Sequence, residues 1–531
     1  MEDPSTLVST LGLVVLGLYT FVWSISILGL VQAKHATPAS SPASLPGVSI
    51  LRPLAGLDHN LALNLSSSFE QVYPSDKFEI ILSVKDESDQ ARPVAEEISS
   101  RYPHIESTLV VGDESCGVNP KVANLVKPYA IAKHDIIWVL DSQCALSPHA
   151  LLRAVQSLQS TPKVVSPSNL RQRTRSFLWS PPRVGLVHHV PLGVSPRASM
   201  GSFVEAAFLG GNHAKMYMAI NSLAIDSCVV GKSNLWRKSD LQRVPDKFFG
   251  VGDQGTRGEA GAIGGTAFRS NNGNEMESSL ECQNEQSLVS AGPSRALARF
   301  AIYLAEDNML ALSLWRPPLS LTHVLQPLDV VRCSVGDIRS IGDYAARRMR
   351  WIRVRKHMVP AATYLEPFTE SVLVACLAIW AFLYAWDFAR IWASVFAFSH
   401  FALWHLVDFE VLRTLQEANA LGLSSHGDAL PSGTSQPVTV IDWTDASLVR
   451  KLRLAWVLRE VLAFPIWLWA MCGNTVVWRH RRYRILSDAR AAASVDYDGG
   501  ALSRCSISVL IKRWLTSSGA STADGYEYVN L

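Results

Sequence analysis

Residues 7–31 run without a single charge, which is enough to cross the hydrocarbon core of a bilayer as one helix. A cleaved signal peptide is the rival reading. It needs a basic leading region, a shorter apolar core and a small-residue cleavage site, whereas here Glu2 and Asp3 lead and Lys34 follows. The run is read as a retained anchor (residues 1–32). The acid-before, base-after order puts its amino end outside and the following domain in the cytosol.

That anchor is a small part of 531 residues, a length that allows a domain of over 200 residues with additions. Hydrophobic residues make up 48% and the mean hydropathy is +0.13, which fits a globular domain joined to a few spans. Lys and Arg number 49 against 46 acids, and this near-balance excludes a nucleic-acid partner. The eight cysteines include no CxxC pair. A disulfide framework or zinc site is therefore not expected, and the soluble part faces a reducing compartment.

After a Ser/Ala/Pro linker (33–46), short apolar strands alternate with helices. Strands are expected at 48–51, 78–84, 107–111 and 136–140. Helices are expected from Asp58 as cap to about Gln71, at 93–101, from Pro120, and at 147–158. This alternation predicts an α/β fold with a mainly parallel, doubly wound sheet. Two insertions interrupt it: a polar, basic one at 159–182, and a Gly/Ser/Asn/Glu-rich one at 247–293 that is too poor in aliphatics to fold. The apolar stretch 201–223 carries Glu205, His213 and Lys215, so a helix in the membrane interface is expected in place of a span. A strand pair is expected at 228–237, and a helix over 296–314 with Glu306-Asp307 in its middle.

An arginine-dense helix lies within 332–355 and closes the catalytic unit, residues 47–360. Apolar segments at 371–388 and 391–409 read as a membrane hairpin (361–411), followed by a polar linker (412–453). A third membrane segment (454–478) carries Arg459-Glu460, which either pair or sit at the interface. The tail 479–531 opens on a basic cluster and is expected to be loose.

The 136–140 run ends in Asp141. Ligands of open α/β sheets bind just beyond the carboxyl ends of the strands, so Asp141 is placed to hold a divalent cation on a nucleotide diphosphate. Asp86 follows another strand, Asp307 follows Glu306, and Arg347-Arg348-Met349-Arg350-Trp351 comes later. A nucleotide-sugar transferase needs such parts: a carboxylate at the nucleoside, one for Mg²⁺ or Mn²⁺ on the diphosphate, one to take the acceptor proton, arginines on the pyrophosphate, and an aromatic face.

These residues, in this order, resemble the family-two-like glycosyltransferases of the GT-A fold, with spaced D, D, D and (Q/R)xxRW. Gly117 to Lys121 with Asn124, Gly185 to His188, Cys228 to Ser233, and Ala305 to Asp307 narrow the resemblance to the ceramide glucosyltransferase family. The resemblance covers most of residues 47–486 and lapses in the two insertions. It implies UDP-glucose as donor, ceramide as acceptor, a divalent cation (Mg²⁺ or Mn²⁺), inversion at the anomeric carbon and a Golgi or ER membrane. By the same resemblance, Asp86, Lys121 and Asn124 contact the nucleotide and Asp141 binds the metal diphosphate. Asp307 is the general base. Arg347, Arg350 and Trp351 bind diphosphate and line the acceptor site, and His188 lies near it. The second site reads Asp141-Ser142-Gln143, so a second DxD acid is missing; the metal has one protein carboxylate or borrows Glu306. A polyprenyl-phosphate or polysaccharide transferase, or an inactive membrane scaffold, are the rival functions.

Overall fold

The computed structural model describes residues 4–35, 45–161, 183–194, 199–250, 294–386, 389–424, 441–478 and 481–493. Most of the two expected insertions, and the tail after 493, lie outside these residues.

One eight-stranded sheet organises the domain. Its strands are β1 (Val48–Pro53), β2 (Phe78–Val84), β3 (Glu106–Val111), β4 (Ile136–Leu140), β5 (Cys144–Ala145), β6 (Val184–Val194), β7 (Ser233–Arg237) and β8 (Thr322–Ser334). Their spatial order is β3-β2-β1-β4-β7-β6-β8-β5. Strands β3, β2, β1 and β4 are parallel. Strand β7 is antiparallel to β4 and β6, β6 and β8 are parallel, and β5 is antiparallel to β8. The first half is the expected parallel sheet. Strands β6 and β8 were not expected, and only 233–237 of the expected 228–237 pair is strand.

Successive strand residues point to opposite faces, and both faces here are covered. Ile50, Ile80, Leu82 and Trp138 pack with α2 (Leu61–Phe69) and α3 (Ala91–Arg101) on one face; Leu51, Ile81, Ile137 and Val139 pack with α4 (Pro120–Ile131) on the other. Burial on both faces explains why the centres of these strands, Ile50-Leu51, Ile80 to Leu82 and Ile136 to Leu140, read as apolar runs without alternation.

Parallel pairing in register (Pro53 opposite Ser83, Leu51 opposite Val139) ends β1, β2 and β4 on one edge. The sheet must also curl. Strand β5 pairs with β8, four strand spacings from β4, which would be about 19 Å in a flat sheet. Yet only Asp141, Ser142 and Gln143 separate β4 from β5, a reach of about 14 Å at most. These three residues strap the mouth of a half-closed sheet.

Helix α5 (Ala150–Gln159) returns from the strap. The expected interfacial helix is three pieces: α6 (Met200–Phe208), a wide turn Leu209–His213 with Gly211 out of helical geometry, and α7 (Ala214–Leu223). It is mostly buried instead of lying on a surface. Its charges have partners inside the protein: Glu205 takes Arg347 at 3.1 Å and Lys215 takes Asp408 at 2.7 Å.

Among the described residues, three helices are long and apolar enough to cross a membrane: α1 (Pro4–Lys34), α11 (Arg390–Ser424) and α12 (Ala446–Met471). A fourth span is possible by length where Pro360–Thr369 and Ser371–Ala385 meet at 66°; Ser371–Trp380 of this pair is α10. Leu13, Val14 and Phe21 of α1 are each 60% or more exposed, as a lipid-facing helix requires. Arg459 of α12 is buried on Glu460 and, at 2.6 Å, on Glu370, so the Arg459-Glu460 alternative resolves as pairing.

Two elements differ from expectation. Helix α11 continues past 411 to Ser424, because Val411, Leu412 and Leu415 remain buried along one face. The end of the expected third membrane segment, past Met471, and the start of the expected loose tail form a small antiparallel sheet: β9 (Thr475–Trp478), β10 (Arg481–Ile485) and β11 (Ala491–Ala493). Buried Val476, Tyr483 and Ile485 hold it to the domain.

Candidate active site

Asp141 stands one residue past β4, and its amide donates to the Lys232 carbonyl at 3.2 Å, extending the β4–β7 pairing. This sets Lys232 beside it, with Nζ 3.0 Å from Oδ2. Lys121 reaches the other oxygen, with Nζ 2.8 Å from Oδ1. Lys121 is placed by the start of α4. Pro120 opens the helix, and the Asn119 side chain accepts from the amides of Lys121 and Val122, meeting two otherwise unpaired donors of the first turn.

The same ammonium lies 3.0 Å from Glu306 Oε1. Asn119 Nδ2 donates to the other Glu306 oxygen at 2.7 Å and to the Tyr303 carbonyl at 2.8 Å. Glu306 and Asp307 open helix α8 (Glu306–Trp315), where the positive end of the helix dipole favours carboxylates. The expected mid-helix position is thus corrected: the helix is broken at Tyr303 and Ala305, whose dihedrals are not helical. Asp307 lies over Gly231, where a Cβ would come within 2.1 Å of Oδ2.

The result is a Lys121-centred cluster of Asp141, Glu306 and Asp307, with Lys232 on its far side. Burial alone would raise Asp141, but Lys121 and Lys232 outweigh it and hold the carboxyl well below the usual range. Burial also opposes the Lys121 charge, and Asp141, Glu306 and Asp307 outweigh it in turn, so the ammonium stays protonated. Asp307 goes the other way. Burial and then the Glu306 charge push it up to about 7, against the pull of Lys121. Neighbouring carboxylates with such divergent acidities are the signature of divided acid–base roles.

The other expected residues are placed as follows. Arg347, on α9 (Ile341–Met358), borders a small cavity with Gln143, Cys333, Ser334 and Asp337, and so stands beside the strap. Its guanidinium is 5.1 Å from the Trp351 ring. Arg350 is half-buried on the same helix. His188 is buried in β6 and pairs with Tyr217. Asp86 is exposed at the end of β2, where hydrogen bonds from the Ser88 amide and hydroxyl lower its pKa. Its loop is tied to the rim through Asp89, which accepts from the Gly56 amide at 2.9 Å. Asn124 is buried, with its amide hydrogens on the Leu54 and Ser83 carbonyls, so it fixes the ends of β1 and β2. Asp58, expected as a helix cap, instead accepts from the Ser142 hydroxyl, and Asn60 takes the cap position.

Sequence reasoning missed Lys232 and Arg52. Lys232 was visible only as one base in Gly231-Lys232-Ser233. Arg52 is wholly buried in β1 and donates to the carbonyls of Ser142 at 3.2 Å and Cys144 at 3.0 Å, gripping the strap from below. Arg52→Met keeps an unbranched stem but leaves those carbonyls without the guanidinium. We expect kcat/KM to fall about 10²-fold while the thermal transition of the folded protein persists. Unchanged kinetics would show that the strap holds its shape without Arg52.

Among the described residues, no three His, Cys, Asp or Glu side chains converge as a metal site. Both Asp141 oxygens and both Glu306 oxygens already have nitrogen partners. The donor set does not fit a cation caged by protein alone. It does fit Mg²⁺ or Mn²⁺ arriving on a nucleotide, since such ions keep water and phosphate ligands and need only one or two carboxylates.

Glycosyl transferase family 21 matches residues 13–245 and 285–491. A ceramide glucosyltransferase of Komagataella phaffii is 34% identical over 463 residues, covering 85% of this chain and 84% of that one. One from Candida albicans is 30% identical, covering 87% and 90%. A solved structure titled as the mannosyltransferase PcManGT from Pyrobaculum calidifontis with GDP-Man and Mn2+ covers 78% of this chain at 15% identity, with a TM-score of 0.37. The curled, mainly parallel sheet is the expected GT-A fold. With the family matched on both sides of the 247–293 insertion and across every strand of the main sheet, the chain belongs to glycosyl transferase family 21.

Proposed function

We propose that this glycosyltransferase moves glucose from UDP-glucose to the primary hydroxyl of ceramide, giving glucosylceramide and UDP with inversion. The observation that carries this reading is the Lys121 ammonium shared by Asp141 and Glu306, with Asp307 next to it poised near neutral pH. The names of the family relatives supply the acceptor and the sugar.

In this reading Lys121 and Lys232 face the diphosphate and offset its charge as UDP leaves. Asp141 would hold the cation, which when bound neutralises the same leaving group. Asp86 and the rim loop contact the uridine, and Arg347 and Arg350 clamp phosphate oxygens with forked hydrogen bonds. Asp307 takes the proton of the acceptor hydroxyl as its oxygen attacks. Trp351 gives an apolar face to the acceptor. The membrane-length helices serve access, since a two-chain lipid costs about 0.8 kcal/mol per CH₂ drawn out of the bilayer. We read the protein as multi-pass in a Golgi or ER membrane, with residues 47–360 as its cytosolic catalytic unit.

The test supplies membranes containing the protein with labelled UDP-glucose and either ceramide or polyprenyl phosphate. Labelled lipid is expected with ceramide. Product with polyprenyl phosphate alone would overturn the acceptor assignment, and no product with either would favour an inactive scaffold.

A further inference from the structure

Helix α12 is long enough to cross a bilayer, yet both of its ends are held by the catalytic unit. Its 26 residues span about 39 Å. Near its start, Lys451 stands over the Phe203 ring at 6.0 Å. Phe203 belongs to α6, which lies directly on β6 of the main sheet: a Cβ on Gly193 would meet the Ala206 backbone. At the other end, α9 takes the last carbonyls. Arg353 donates to those of Trp469 at 3.1 Å and Ala470 at 3.2 Å, and Lys356 donates to that of Met471 at 3.3 Å. Cations suit these carbonyls, where the helix dipole is negative. The chain then enters the β9–β11 sheet, whose Tyr483 and Ile485 share a core with Leu51 of β1 and Ile137 of β4.

The middle of α12 lies at the same level. Lys34 closes the charge-free run of α1 and pairs with Glu410 of α11 at 2.6 Å, which marks the membrane surface on the catalytic unit's side. Two residues away, Asp408 accepts from Trp456 Nε1 at 2.8 Å. A helix that crossed would carry one end about 30 Å from that surface. The start, middle and end of α12 all stay at it.

Among the described residues, nothing covers one face of α12. Leu454, Val457, Val461, Phe464 and Leu468 recur every three or four residues, which sets them along one side of a helix, and they are between 38% and 59% exposed. Ala455, Trp456, Arg459, Glu460 and Ile466 are buried. An exposed apolar stripe of this length marks a docking surface, and its surroundings name the occupant. Arg450, Lys451 and Arg453 are exposed at the start of the helix, and Arg481, Arg482 and Arg484 are exposed soon after its end. Tyr364, Leu365 and Phe368 are exposed close by, on the segment whose Thr363 carbonyl accepts from Trp467 Nε1 at 2.9 Å. An apolar face flanked by basic and aromatic side chains fits the interface of an anionic leaflet.

We propose that α12 lies in the plane of the bilayer, with its Leu454 to Leu468 stripe seated in lipid on the catalytic unit's side, so that the chain before and after it stays on that side. Helix α9 grips the end of α12 and bears Arg347 and Trp351, so this seat sets the height of that part of the site above the lipid. The proposal is independent of which sugar and which acceptor the enzyme uses.

The experiment uses the full-length protein in sealed microsomes. One protease site is inserted between residues 424 and 441 and, in a second variant, after residue 531; a lumenal protein of the same microsomes reports that they are sealed. The two sites are expected to respond alike, both cut without detergent. One site cut without detergent and the other only with it means that α12 crosses, which overturns the proposal. A second measurement identifies the occupant. p-Benzoylphenylalanine is placed at Val461, and the protein is irradiated in vesicles of labelled phosphatidylcholine and phosphatidylserine. The protein band is expected to take up lipid label. A band of twice the mass without lipid label would put a second copy on the stripe and overturn its seating in lipid.

Discussion

Asp307→Asn is expected to abolish turnover and leave UDP binding intact. The amide matches the carboxylate in shape but cannot take a proton, and loss of a positioned base costs about 10² to 10⁴-fold in rate. The donor side stays in place: Asp141 keeps both lysines, and Glu306 keeps Lys121 and Asn119. The measurements are labelled glucosyl transfer and UDP titration calorimetry. A variant that turns over normally would mean that Asp307 is not the base.

The same residue sets a pH dependence. A general base acts unprotonated, and Asp307 loses its proton at about 7. For the free enzyme, kcat/KM should therefore rise as pH passes through about 7 and level off above it, falling about tenfold per unit below it.

Lys121→Met is expected to be the most disruptive single change in the cluster. It removes the charge shared by Asp141 and Glu306 and leaves three carboxylates with Lys232 as their remaining ammonium in the cluster. Breaking a buried pair strands the partner charge, at a cost of about 3 kcal/mol or more. Lys121 also pulls Asp307 down, so its loss moves the rising limb of the pH–rate profile to higher pH by roughly one unit. Donor affinity should fall at least about tenfold with the loss of a diphosphate-facing charge. Lys232→Met is the control. It takes one partner from Asp141 and leaves Glu306 paired, so its pH profile should shift less. Equal profiles for the two variants, or a shift to lower pH in Lys121→Met, would contradict the arrangement.

The parallel half of the sheet and Asp141 were readable because β4 is apolar throughout and β1 and β2 keep apolar centres, Ile50-Leu51 and Ile80-Ile81-Leu82, that are buried on both faces. Pro120 and the Arg347 to Trp351 helix were readable from local chemistry. Strands β6 and β8 were not, because their buried positions include polar side chains matched across the fold. His189 stacks on Trp138 and meets Ser233 at 2.8 Å. Asp329 takes Arg153 at 2.7 Å, and Arg332 donates to the Leu146 carbonyl at 2.6 Å. In sequence these residues break the hydrophobic pattern; only the folded partner makes them interior residues. The cluster was half legible for the same reason. Its acids were found one by one, but Lys232 reaches Asp141 only because β7 runs antiparallel beside β4, and the strap needs Arg52 only because the sheet curls. Gln143, which stands where a second acid was sought, lines the cavity next to Arg347.

With Asp307 as the proposed base, the acceptor hydroxyl attacks the sugar directly from the face opposite departing UDP. The configuration at the anomeric carbon of the lipid product, read by NMR, tests this most directly. A single displacement on the α-linked donor gives the β-glucoside, and an α-glucoside would contradict it.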